Sequence, residues 1–228
     1  MPAFYGRKCR PMDLQKLAIV VPPLLLAITF HEAMHGYAAY RLGDPTAKLK
    51  GRLTLNPIAH IDPFGSVLIP AMLFLTNAPF LFGWAKPVPV NFFRLRNPKK
   101  DMVWVAAAGP LTNLALAAAS GIFYQLILFL AQALPPSTHT FLAYFKGLAE
   151  FSVAINVLLA LFNLIPIPPL DGGRILVGLL PRDQAILVSR VEPYGMFLVV
   201  GLIFLNPFGV MSYLWRFMSL LTRTLLGM

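Results

Sequence analysis

The chain has a single cysteine, Cys9, only nine acidic residues and four histidines among its 228 residues. One cysteine excludes an intramolecular disulfide and a cysteine-based zinc site alike. Only 12% of the residues are charged, about half the share of an ordinary soluble domain. With 57% hydrophobic residues and a mean hydropathy of +0.69, the composition is that of a membrane protein. No charged-then-apolar stretch near Met1 carries a convincing cleavage site, so no removable signal peptide is expected. Internal repeats, low-complexity tails and a segment with the make-up of a soluble domain are all missing.

Acidic residues are scarce enough to leave a net charge of +10. The basic residues gather at Arg7, Lys8 and Arg10, at Lys48, Lys50 and Arg52, and at Arg94, Arg96, Lys99 and Lys100. Each group borders an apolar segment, which points to anionic lipid headgroups as the partner and not to nucleic acid. Because basic residues flank several consecutive spans, the positive-inside rule leaves the orientation open.

Against these absences stand long apolar runs. Leu17 to Tyr40 is 24 residues, roughly 36 Å as a helix and enough to cross a bilayer core. It ends at Leu42-Gly43-Asp44-Pro45, a Gly and Pro stop. Ala47 to Asp62 alternates polar and apolar residues, the pattern of a short strand or hairpin. Phe64 to Phe82 is a second apolar run, broken by Pro70 and Pro79. Gly83 to Pro98 is rich in Pro and Arg and reads as extended or re-entrant backbone. Met102 to Leu134 is too long for one straight span unless tilted or broken, and Gly109-Pro110 is a plausible break. Further spans are expected at Phe141 to Ile165, Ala185 to Leu205 and Phe208 to Leu225. The fold class is therefore an all-α polytopic membrane protein of five to six transmembrane helices, with short strand-like or re-entrant segments near the site.

Ionisable residues inside such a run are functional candidates, because lipid makes them costly unless they face something polar. The first span contains His31-Glu32-Ala33-Met34-His35. The i, i+4 spacing puts both imidazoles on one helix face, where they can share a metal ion. Glu32 stands beside them as a candidate general base. A catalytic zinc site has three protein ligands and an open water position. Asp171, the only acidic residue from Phe151 to Leu180, follows the Pro-broken segment Pro166-Ile167-Pro168-Pro169 and is the strongest third ligand. The same residue can instead be the N-cap of a helix beginning near Gly172. His139 falls in a polar loop and reads as solvated. His60, in Asn56-Pro57-Ile58-Ala59-His60-Ile61-Asp62-Pro63, reads as structural, with a place at the mouth of the site as the alternative.

These motifs together resemble the site-2 protease family of intramembrane zinc metalloproteases, in its compact form. His31-Glu32-x-x-His35 matches the zinc-binding helix of the family. Gly109-Pro110-Leu111-Thr112-Asn113 looks like its Gly-Pro motif, and Asn163 to Gly172 resembles its third motif, with an Asn eight residues before the ligand Asp. The resemblance implies one integral-membrane metalloprotease domain over residues 1–228 and one Zn2+ per chain. By the same token His31, His35 and Asp171 hold the metal, while Glu32, Asn163 and Asn113 are catalytic. Asn163 is expected to hold the substrate strand or steady the oxyanion. The implied setting is a multi-pass protein of the cell membrane whose substrates are transmembrane proteins. A substrate helix must unwind before it is cut, and the strand-like segments around Leu53 and Val88 offer an edge to which it can add. The competing class is a catalytically silent escort of membrane proteins; the intact His31, Glu32, His35 and Asp171 argue against it. A transporter is disfavoured by the lack of repeated halves.

Overall fold

The computed structural model describes residues 14–76 and 83–228. Cys9 and the basic residues Arg7, Lys8 and Arg10 lie outside the described residues, as does the end of the Phe64–Phe82 run with Pro79. Among the described residues nine α-helices follow in order: α1 (Leu14–Arg41), α2 (Thr46–Leu49), α3 (Ile69–Leu75), α4 (Pro98–Ala133), α5 (His139–Asn163), α6 (Asp171–Leu179), α7 (Arg182–Ser189), α8 (Gly195–Leu205) and α9 (Val210–Leu226).

The core is a three-helix assembly of α1, α4 and α5, with α6 packed on α4 and with α9 against α5 and α4. Ala117, Tyr124 and Ile127 of α4 meet Leu142, Ala149, Val153 and Val157 of α5, and Met218 and Leu226 of α9 close the cluster. Small buried residues such as Ala27, Ala117, Ala149 and Ala160 let the helix axes approach, the main source of cohesion where lipid competes on equal terms for apolar surface. Phe123, Phe129, Phe197 and Leu205 are exposed on the outside, as expected of a surface that meets acyl chains.

Proline inside a helix leaves an orphan carbonyl four residues earlier, and lipid offers nothing to satisfy it. Pro22 and Pro23 lie within α1. The carbonyl that Pro22 orphans is that of Ala18, and it accepts a bond from the Tyr144 hydroxyl on α5 at 3.2 Å. Pro110 does not break α4, which runs unbroken for 36 residues. Its length of roughly 54 Å exceeds the hydrocarbon thickness, so the helix projects beyond the core or tilts.

Among the described residues four stretches are long and apolar enough to cross a membrane: Lys16–Arg41, Pro98–Ala133, Pro136–Asn163 and Arg182–Leu205. The count of five to six drawn from the sequence is not confirmed among the described residues, for two local reasons. The described part of the Phe64–Phe82 run holds the π-helical turn Pro63–Leu68 and α3, six and seven residues long, and the end of the run lies outside the described residues. Helix α9 has 17 and carries Arg216 and Arg223, so it is short of the ~20 apolar residues a span needs.

No strand forms among the described residues, contrary to the strand-like reading of Ala47–Asp62. The alternation there is spent on a single helical turn, α2, and on tight turns capped by Asn56 and Asp62. Gly83–Val90 is an irregular strap that forms no strand. Its backbone N–H groups go instead to isolated acceptors: Trp84 to Gly65 O at 3.2 Å, Lys86 to His60 O at 2.9 Å, and Val88 to a side chain of α1. The Arg52 guanidinium fastens the same strap through Lys86 O at 2.9 Å.

Candidate metal centre

Three helices build the centre. On α1 the four-residue spacing stacks His31 over His35, their rings edge to face at 4.6 Å. On α4, Val105, Gly109 and Asn113 recur every four residues and form one stripe facing the two histidines. Val105 supplies its carbonyl to His35 Nδ1 at 2.7 Å, and Asn113 supplies Oδ1 to His31 Nδ1 at 2.5 Å. Gly109 supplies space: a Cβ there would lie 2.7 Å from His31 Nε2 and closer still to His35 Nε2.

The third wall is α6, which begins at Asp171. Gly172 and Gly173 bring it in, since a Cβ on either would strike the backbone of the Leu164–Pro168 loop. The N-cap of α6 is Leu170, so Asp171 is not spent as a cap. Its carboxylate points inward instead. Oδ2 lies 3.2 Å from His31 Nε2 and 3.2 Å from His35 Nε2, and the two Nε2 atoms are 3.0 Å apart.

This triangle has the donor chemistry of a metal site. A backbone carbonyl accepts and never donates, so Val105 O requires the proton of His35 to sit on Nδ1. Oδ1 of Asn113 makes the same demand of His31. Both Nε2 atoms then carry lone pairs, and the short approach between them is not a hydrogen bond. Asp171 Oδ2 is buried without a hydrogen-bond partner, and its two 3.2 Å neighbours are these lone pairs. Three electron pairs converging with no proton to share is an arrangement that a cation relieves. A tetrahedral divalent ion with N and O ligands at about 2.0–2.2 Å holds them about 3.3–3.5 Å apart. The observed edges of 3.0–3.2 Å are close to that, slightly compressed. Among the described residues, His31, His35 and Asp171 are the group of metal-ligating side chains close enough to share one ion.

Glu32 adjoins the triangle and its Oε2 accepts the Val88 N–H at 2.8 Å, so the strap lies across the carboxylate and holds one of its oxygens. Asn113 is fully buried, its Nδ2 donating to Ala27 O at 3.2 Å and to Asn156 Oδ1 at 2.8 Å. With Oδ1 on His31 both ends of its amide are committed. Asn163 is half-buried at the end of α5 and donates to Leu159 O, one turn back, at 2.9 Å. The contacts of Asn163 do not bring it to the triangle. His60 is buried, and its Nε2 donates to Thr54 O at 2.9 Å while its carbonyl holds Lys86. It anchors the strap and is not a member of the triangle. His139 opens α5 and is exposed.

Asn156 is a residue that the sequence reading passes over. The available signal is a carboxamide inside an apolar span, which has to find a partner in a neighbouring helix.

Comparison with known proteins bears on most of the chain. The model of Peptidase family M50 matches residues 139–206, a stretch that includes Asp171. YwhC of Bacillus subtilis, which bears the name of a zinc metalloprotease, is 40% identical over 213 residues, 92% of this chain and 89% of that one. Rip2 of Mycolicibacterium smegmatis, named likewise, is 30% identical over 190 residues, 83% of this chain and 67% of that one. MJ0611 of Methanocaldococcus jannaschii, also named as a zinc metalloprotease, is 44% identical over 72 residues, 32% of this chain and 31% of that one. No solved structure matches the chain significantly.

Proposed function

The chain belongs to peptidase family M50, the site-2 protease family, and is a zinc metalloprotease with membrane-spanning helices; from that premise we propose that it is an intramembrane endopeptidase. It hydrolyses peptide bonds within or beside the transmembrane helices of other membrane proteins. On this reading residues 1–228 form one multi-pass domain of the cell membrane and hold one zinc ion through His31, His35 and Asp171. The observation that carries the reading is the convergence of two Nε2 lone pairs, beside Glu32 on a helix apolar enough to span a bilayer, with a buried carboxylate oxygen of α6.

Zinc bound there supplies Lewis acidity, polarising the scissile carbonyl and lowering the pKa of a water towards ~7. Glu32 takes the proton of the attacking water. Oε2 is held by Val88, which leaves Oε1 for the transfer. As the water oxygen bonds to the carbonyl carbon and the C–N bond breaks, Glu32 returns a proton to the departing amine. Asn113, buried and committed at both ends, acts through His31 and does not touch substrate. Asn163 is assigned to the substrate: drawn off Leu159 O, its amide can meet the oxygen that gains charge, a contact worth about 3 kcal/mol.

The test is Glu32→Gln. An amide cannot accept the proton at neutral pH, so the variant keeps its zinc and cleaves none of a panel of labelled transmembrane-helix peptides that the wild type cuts in proteoliposomes. Cleavage near the wild-type rate would reject Glu32 as the base. Zinc-replete wild type that cuts no membrane-protein substrate would favour the silent escort.

A further inference from the structure

A polar thread runs from the metal centre into the apolar interface of α4 and α5. His31 Nδ1 meets Asn113 Oδ1 at 2.5 Å, Asn113 Nδ2 meets Asn156 Oδ1 at 2.8 Å, and Asn156 Nδ2 meets Ser152 O at 2.9 Å. The Ser152 hydroxyl lies 3.4 Å from Asn156 Nδ2 and 2.8 Å from the hydroxyl of Ser120 across the interface. Asn113 is fully buried and Asn156 is 2% exposed.

The thread has one polarity, set by backbone carbonyls that can only accept. Ser152 O requires the end of the Asn156 amide that faces it to be the NH2, which turns Oδ1 towards Asn113. Ala27 O, 3.2 Å from Asn113 Nδ2, makes the same demand there. The two N–H bonds of Asn113 Nδ2 are thus both used, one on Ala27 and one on Asn156. Its Oδ1 is left facing His31, where it admits a protonated Nδ1 and excludes a bare one. The lone pair of His31 is thereby confined to Nε2, towards His35 and Asp171.

We propose that Asn156 is a positioning residue of the metal centre: it fixes the orientation of Asn113, and through it the tautomer and aim of His31, from two hydrogen bonds away. Without the Asn156 oxygen, one N–H of Asn113 has no acceptor in a buried interface, and the 3.2 Å bond to Ala27 O is left alone to orient the amide towards His31. Outer partners of metal-bound histidines typically carry 10–100-fold in metal affinity. A partner once removed belongs at the low end of that range. The competing role for Asn156 is that of a polar clasp between α4 and α5, which adds cohesion and leaves zinc alone.

The inference rests on His31 as a zinc ligand, so His31→Ala is measured in parallel. Full-length protein in detergent is titrated with zinc against a competing chelator, and its melting is followed without metal. Asn156→Leu removes the acceptor and is expected to weaken zinc about tenfold. Asn156→Asp, as the neutral acid, keeps an oxygen facing Asn113 and an O–H to donate to Ser152 O, and measured at a pH where it is protonated it is expected to stay within about twofold of the wild type. Asn156→Ala accompanies the leucine variant, so that a folding defect in one does not leave the question open. Loss of metal-free stability in Leu and Ala with unchanged zinc affinity would assign the clasp role and overturn the proposal, as would an Asp variant as weak as Leu. Zinc retained by His31→Ala would instead overturn the ligand assignment beneath it.

Discussion

Gly109 occupies the stripe of α4 between Val105 and Asn113, and adding one methyl group there tests the architecture of the centre. A Cβ would stand 2.6 Å from His31 Cε1 and 2.7 Å from His31 Nε2, with His35 Nε2 nearer still. Ordinary contact begins near 3.4 Å and His31 Cε1 would stand at 2.6 Å, so the His31 ring has to recede by about 0.8 Å and that of His35 by more. They cannot do so freely, because His31 is tied to Asn113 and His35 to Val105 O. Metal sites hold their ligand distances to about ±0.2 Å, so the displacement exceeds the tolerance. Gly109→Ala is therefore expected to lose at least the 10–100-fold in zinc affinity that outer-partner mutations cost, about 1.4–2.7 kcal/mol. The assay is chelator competition on the purified full-length protein, with thermal melting alongside. Two controls separate zinc loss from general damage. Gly121→Ala strikes the Leu225 carbonyl on α9 and should lower stability without touching zinc. Gly201→Ala meets nothing within 4 Å and should change neither. A Gly109→Ala protein that melts normally and binds zinc within about twofold of the wild type would refute the packing argument.

Val88→Pro deletes the N–H that holds Glu32 Oε2; it should slow cleavage of the transmembrane-helix peptides while zinc content stays at the wild-type level, and unchanged cleavage would remove the strap from the mechanism. Asp44 is buried just beyond α1, and burial, the largest influence, would raise its pKa. Bonds from the Thr46 hydroxyl, Asn91 N–H and Thr46 N–H outweigh that and hold the carboxyl below its ordinary value. Because the folded value is the lower one, Asp44 adds stability above the unfolded value of about 3.9 and loses it as pH falls through the folded value. Melting temperature measured from about pH 6 to pH 3 should drop for the wild type and drop less steeply for Asp44→Asn, which starts from a lower value at neutral pH. Parallel profiles would show that another group governs the acid limb.

The sequence discloses what depends on spacing along one helix. His31, Glu32 and His35 are legible because i, i+4 geometry is fixed whatever surrounds it. Asp171 is legible as an isolated acid after a proline-broken turn, though only the fold brings it to 3.2 Å from both imidazoles. Gly109-Pro110 is visible as a motif, but its apparent meaning, a break, is not the one it has: α4 continues through Pro110, and Gly109 makes room for two rings. The strand-like alternation of Ala47–Asp62 misleads because a period of two in a short segment also arises from capped turns. The strap that crosses Glu32 is held by single bonds to Gly65, His60 and Arg52, partners that leave no periodic trace. Asn113 and Asn156 differ in the same way. Which of two carboxamides faces a histidine and which faces another carboxamide depends on how α4 meets α5, and that depends on side chains over the whole interface.

The central claim is that His31, His35 and Asp171 share one zinc ion. Its most direct test is the zinc content of the purified full-length protein in detergent, wild type against Asp171→Ala. The account predicts about one zinc per chain in the wild type and loss or marked weakening in the variant. Zinc that survives Asp171→Ala at full affinity, or a folded, zinc-supplied wild type that binds none, would contradict it.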